Sequence, residues 1–209
     1  MHFGYDDIAS LNWGNVINSF QSDVMKNYNR NTTLFGKVSI LNYIGFSKFW
    51  YRAVFSVMPS GRIKLKNGHQ VDIKNKIDKL TQGFLWGFHY TESGMKLDLE
   101  NPKIPLISKN TLYLKKEEGG ADLINYQIKM QAFRILLVYK YLQNNDNNWT
   151  DILNYWFATN IFSISRQRWN NTFPHAQSLE EIPPFFKKCL IEFKDYYLRH
   201  GNGISEQIS

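Results

Sequence analysis

The stretch FGKVSILNYIGFSKFWYRAVFSVM, running from Phe35 to Met58, decides how the rest of the chain is read. It is the most hydrophobic part of the sequence, and Pro59 closes it. As one helix its 24 residues would reach roughly 36 Å. Apolar residues occupy most faces, so it is expected at the centre of a core. Its only charges are Lys37, Lys48 and Arg52. At about 100° per residue these fall within an arc of roughly 60°, one narrow basic stripe on an otherwise oily rod. A cation on a core helix needs solvent or an anionic partner. The stripe therefore serves either a polyanion or three side chains whose stems snorkel to water.

Working outward, Trp13, Val16, Ile17, Phe20, Val24 and Tyr28 recur at helical spacing and predict a helix over 13–30 with Asn12 as its N-cap. A polar break at 31–34 separates it from the rod. Beyond Pro59, Arg62, Lys64 and Lys66 alternate with apolar residues before Asn67-Gly68, the pair that suits a type I′ turn. A β-hairpin over 62–73 is expected, its basic face either touching phosphates or merely solvated. A short helix follows at 74–87, with Ile77, Leu80, Phe84 and Leu85 on one side. Residues 91–123 read as irregular, with short strands at 104–107 and 111–115. In Glu118-Gly119-Gly120-Ala121-Asp122 the glycines predict a turn with positive φ or a close backbone approach. Helices are expected at 124–143, 149–163 and 184–199, the last opened by Pro183-Pro184. A linker is expected at 166–184 and a frayed end at 201–209. The fold class is mainly α with a small β component, divided near residue 90 into regions 1–90 and 91–209.

Composition agrees with a folded chain: of 209 residues 43% are hydrophobic and 16% aromatic, which excludes a disordered tail. The net charge is +7, and residues 35–80, with nine basic and two acidic residues, hold that whole excess. Concentrated positive charge is the footprint of a polyanion partner, or a solvated basic face. Candidate phosphate-binding residues are Lys37, Lys48, Arg52, Arg62, Lys64, Lys66 and Lys74. One cysteine, Cys189, excludes a disulfide framework and a Cys-rich zinc module. No run is long and apolar enough to span a membrane, and the N-terminal residues lack the order of a secretory signal. A cytoplasmic or nuclear location is expected.

Catalytic signatures are missing. Asp6-Asp7 is an adjacent carboxylate pair of the kind that holds divalent metals, but no strand or third carboxylate accompanies it, and a loop or helix start is expected. The five histidines show no metal-ligand spacing, Cys189 reads as a buried inert thiol, and neither a nucleophile elbow nor a glycine-rich phosphate loop occurs. No cofactor is expected.

Several short stretches occur in a recognisable order: Leu34 to Asn42, Ser47-Lys48-Phe49-Trp50-Tyr51, Phe84-Leu85-Trp86-Gly87, Leu114 to Leu123, Ala132-Phe133-Arg134 and Leu179 to Phe186. Their succession resembles the segment after the palm of LINE-type (non-LTR) retrotransposon reverse transcriptases. In that family a GR-x-x-x-LN…S-x-x-W/Y helix belongs to the thumb, and an FLW element and a K-x-x-GG turn follow in the linker. The resemblance covers roughly residues 11–199, and the 62–73 hairpin looks like an insertion within it. It implies a helical thumb-like bundle plus linker that holds RNA and RNA/DNA template–primer duplex. Lys37 falls where the family usually has Arg or Lys after Gly, and Lys48 follows the family's Ser. The polymerase aspartates would lie on a palm domain of the same polyprotein, absent from this sequence, so the chain would be a fragment without catalysis of its own. The alternative is a host-retained protein-interaction module.

Overall fold

The computed structural model describes residues 5–54, 56–64, 70–94, 96–142 and 183–200, with side chains from Asn12 onward. Two compact units emerge, residues 1–129 and 130–209. Among the described residues the elements are mostly helical, with two small antiparallel sheets of two strands each, as the composition and periodicity predict. Tyr90 is the last residue of one strand and pairs with Leu97 of the next.

In the first unit, α1 spans Tyr5–Tyr28. It begins well before the expected N-cap, so Asn12 lies inside the helix rather than at its end, and Asp6-Asp7 lie in its first turn. The rod is not one helix. It is α2 (Leu34–Ile40), a π turn (Leu41–Gly45) and α3 (Ser47–Ala53), and helical structure stops well short of Pro59. The hydroxyl of Thr33 caps α2 by accepting from the Gly36 amide. The core gathers where the rod meets α1. Phe20 packs against Phe46 and Phe49, with ring centroids 5.9 and 5.1 Å away, and both of those rings meet Tyr126 at 5.7 and 5.8 Å. Trp13 is fully buried and its indole N–H donates to the Val57 carbonyl at 3.0 Å.

The expected hairpin is present as β1 (Arg62–Lys64) and β2 (Gln70–Asp72), with Ile63 facing Val71 across the ladder. Its tip, including Lys66 and the Asn67-Gly68 turn, lies outside the described residues. Helix α4 (Ile73–Trp86) follows directly, capped by the Asp72 carboxylate on the Asn75 amide. It buries Ile77, Leu80, Phe84 and Leu85, the expected face.

The strands expected at 104–107 and 111–115 are not there. Residues 104–107 lie outside regular structure, and α5 (Lys109–Tyr113) occupies the second span, started by Ser108, whose hydroxyl accepts from the Thr111 amide. A local side-chain cap thus outweighs a weak strand pattern. The second sheet lies earlier, β3 (Phe88–Tyr90) against β4 (Leu97–Pro102). Gly87, at φ 103°, ends α4 and turns the chain into β3. The Gly83 position lies against the Phe88 ring so closely that a Cβ would sit 1.8 Å from it.

The double glycine behaves as expected. Gly119 has φ 80°, and a Cβ on Gly120 would lie 2.0 Å from the Leu114 carbonyl oxygen. A 3₁₀ turn (Lys116–Glu118) precedes the pair.

Helix α6 (Tyr126–Leu142) carries the chain into the second unit, where α7 (Pro184–His200) is the other described element. Val138 and Tyr141 of α6 pack with Cys189, Leu190 and Phe193 of α7. Beside that core Arg134 grips Glu192 with two parallel bonds, Nε to Oε2 at 2.6 Å and Nη2 to Oε1 at 2.9 Å, both side chains 8% exposed. Burial pushes the Cys189 thiol up to about 12, so it stays protonated and inert. The helix expected at 149–163, the tail at 201–209 and all but the end of the 166–184 linker lie outside the described residues.

Candidate nucleic-acid interface

The seven basic residues singled out in the sequence fall into two environments. Lys37 projects from α2 toward the end of α4. Its ammonium donates to the Leu85 carbonyl at 3.1 Å and lies 6.0 Å from the centre of the Phe84 ring. The last carbonyls of a helix lack intrahelical partners and carry the negative end of its dipole. Lys37 therefore caps α4 from outside, and burial pushes its pKa below the ordinary lysine value.

Lys48 and Arg52, on α3, turn to α1 instead. The Lys48 ammonium stands 3.4 Å from Asp23 Oδ2, and Arg52 Nη1 donates to Asn12 Oδ1 at 3.0 Å. So Lys37, Lys48 and Arg52 do not form the single stripe that an unbroken helix predicts. The rod is interrupted by the π turn and flanked by different helices at its two ends, and each cation meets a partner within the fold. Sequence cannot reveal this, because two of the three partners are uncharged.

Arg62, Lys64 and Lys74 are placed differently. Arg62 and Lys64 flank buried Ile63 on β1, so both stand on the outer side of the hairpin. Across the ladder they face Asp72 and Gln70. The Asp72 carboxylate is engaged in capping α4. Lys74, also exposed, sits in the first turn of that helix, which contains no acidic residue. A lysine there opposes the helix dipole, so fold stability gives no reason for it. Lys66 lies outside the described residues.

One residue that the charge-led reading passed over organises much of this unit. Asn42, in the π turn, donates its side-chain amide to the Asp122 carbonyl at 2.8 Å and accepts from the Ile124 amide at 2.9 Å. It thus joins two of the quoted stretches, Leu34–Asn42 and Leu114–Leu123, across eighty residues of chain. Asp122 itself sits at φ 59°, a left-handed conformation. Phe84 and Leu85 are buried, and Gly120 lies against Leu114, so these residues also pack within the first unit.

Chemically, these groups can bind anions. Among the described residues no group of three or more His, Cys, Asp or Glu side chains could hold a metal ion. No described helix is long and apolar enough to cross a membrane.

Comparison with family models, with curated proteins and with solved structures finds no match to this chain.

Proposed function

We propose that this chain is a nucleic-acid-binding thumb-and-linker piece of the kind found after the palm in LINE-type reverse transcriptases, gripping RNA or RNA/DNA duplex without polymerase chemistry of its own. The observation that supports it best is the exposed cationic group Arg62, Lys64 and Lys74, on the outer side of the hairpin and the adjoining turn of α4. Phosphate contacts of this type position a duplex without reading its sequence. The palm that would make bonds is a proposed partner.

A test is anisotropy titration of the full chain with a labelled RNA/DNA hybrid across a range of salt. Log affinity should fall linearly with log salt, by roughly 0.9 per phosphate neutralised. The variant R62Q/K64Q/K74Q should bind at least tenfold more weakly with a shallower slope. Salt-independent binding, or unchanged affinity in the variant, would overturn the reading.

A second reading, a protein-interaction module, is favoured by Ile104 and Leu106, 85% and 86% exposed beside β4. It predicts association that persists in high salt.

A further inference from the structure

The outer side of the rod carries a row at intervals of four: Phe35, Ser39, Tyr43, Ser47 and Tyr51. All five are exposed, with Tyr43 at 80%, Tyr51 at 70% and Phe35 at 49%. The π turn gathers the rings. A residue in a π turn advances about 80° around the axis where an α-helical residue advances about 100°. An unbroken α-helix would set Phe35 and Tyr51 about 160° apart, and the turn brings them to about 60°, with Tyr43 between them. The serines add no bulk between the rings, because their hydroxyls fold back onto the Phe35 and Ile44 carbonyls at 2.9 and 2.8 Å.

The surroundings specify the charge of what this row would meet. Between Asp23 and Asp72 the chain has eight lysines and arginines and no carboxylate. Two of the rings already have a cation beside them: the Lys116 ammonium is 5.6 Å from the Phe35 centroid, and the Arg52 guanidinium is 6.0 Å from that of Tyr51. Exposed flat rings with cations at their sides suit a polyanion that offers flat faces of its own. In a duplex the base faces are stacked on one another and hidden. A single strand presents them.

We propose that Phe35, Tyr43 and Tyr51 form a stacking platform for unpaired bases of a single-stranded nucleic acid, with neighbouring cations reaching its phosphates. This deepens the function proposed above and rests on it, adding a strand-specific surface to a duplex-tolerant one. A protein contact is less suited to the row, since serines and cations interrupt it and, among the described residues, Ile44 is its only exposed aliphatic neighbour on the rod.

The experiment compares the full chain with Y43A/Y51A and Y43F/Y51F, titrated with a labelled single-stranded oligouridylate and with a duplex of equal length. Both tyrosines are exposed, and melting curves check that each variant is folded when its affinity is read. Y43A/Y51A should lose tenfold or more in single-strand affinity while duplex affinity stays within twofold, and Y43F/Y51F should keep both. If wild-type chain binds both probes in a salt-dependent way and Y43A/Y51A still binds the single strand as well, the platform is wrong and the duplex-binding function stands. If neither probe is bound, that function fails and the platform with it. Loss of self-association in Y43A/Y51A, with single-strand affinity intact, would make the row a protein contact and also overturn the proposal.

Discussion

The rod and the hairpin lie close in sequence and share the same positive window, yet they use their polar groups in opposite ways. On the rod, Lys37 caps α4, Asn42 clamps residues 122 and 124, Lys48 meets Asp23 and Arg52 meets Asn12. On the hairpin and the start of α4, Arg62, Lys64 and Lys74 point outward. A formal charge counted along the sequence is therefore not a charge at the disposal of a ligand. What distinguishes the two regions is how many neighbours surround each one. The rod is hemmed in by helices whose caps and carbonyls need partners, whereas Arg62, Lys64 and Lys74 are exposed.

If that contrast is right, substitutions of the rod's engaged polar groups should register in stability and hairpin substitutions in binding. The largest rod effect is expected at Asn42→Ala. It removes two hydrogen bonds at about 1 kcal/mol each, so urea unfolding should report a loss of about 2 kcal/mol. Hydrogen exchange should speed up first around residues 114–124, which lose their tie to the π turn. An unchanged unfolding midpoint would mean that the clamp contributes little. The rod would then be held by its rings alone.

Lys37→Met keeps the aliphatic stem and deletes the cap on α4. A loss of about 1 kcal/mol is expected, with nucleic-acid affinity of the folded protein within twofold of wild type. The pH profile gives a finer test. Burial sets the folded pKa of Lys37 below its ordinary 10.5. Between those two values the unfolded chain holds more of this proton, so the residue's contribution makes stability rise with pH. Buried Tyr126 and Cys189 are shifted upward and act in the opposite sense, pulling stability down as pH rises. The informative quantity is thus wild type minus Lys37→Met, which should climb through the alkaline window. A flat difference would show that Lys37 is as well solvated folded as unfolded, and its place among the spent cations would be lost.

Much of the fold was legible in the sequence because its signals are local. The apolar face of α4, the alternation before Asn67-Gly68, Pro184 opening α7 and the two adjacent glycines each need only their near neighbours to be read. The misread parts depend on partners far along the chain. The π turn shows no marker of its own, and it becomes intelligible only once Asn42 is seen reaching Asp122 and Ile124, and Gly45 lying against the Phe20 ring. The acceptor of Lys37 is a backbone carbonyl, which every residue possesses, so no residue type could have announced it. Residues 109–113 became a helix because Ser108 offered a cap that a strand could not use. For the candidate site, the sequence shows where the positive charge is concentrated but not which cations there are engaged, nor which aromatic rings stay outside the core.

Lys48 is the residue on which the contrast between rod and hairpin is thinnest, and its effect should be the smallest. Its side chain is 41% exposed, which alone would suit a phosphate contact, and exposed pairs are worth little. Its partner argues the other way. Asp23 Oδ2 is buried without a hydrogen bond, so the ammonium 3.4 Å away is the group that compensates it. Lys48→Gln should therefore cost about 0.5 kcal/mol, near the middle of the range for such pairs, with little salt sensitivity because the carboxylate side is shielded. Affinity for the RNA/DNA hybrid should stay within twofold. A threefold or greater loss of affinity with stability unmoved would transfer Lys48 to the ligand-facing set. The boundary between the two regions would then run through α3 rather than after it.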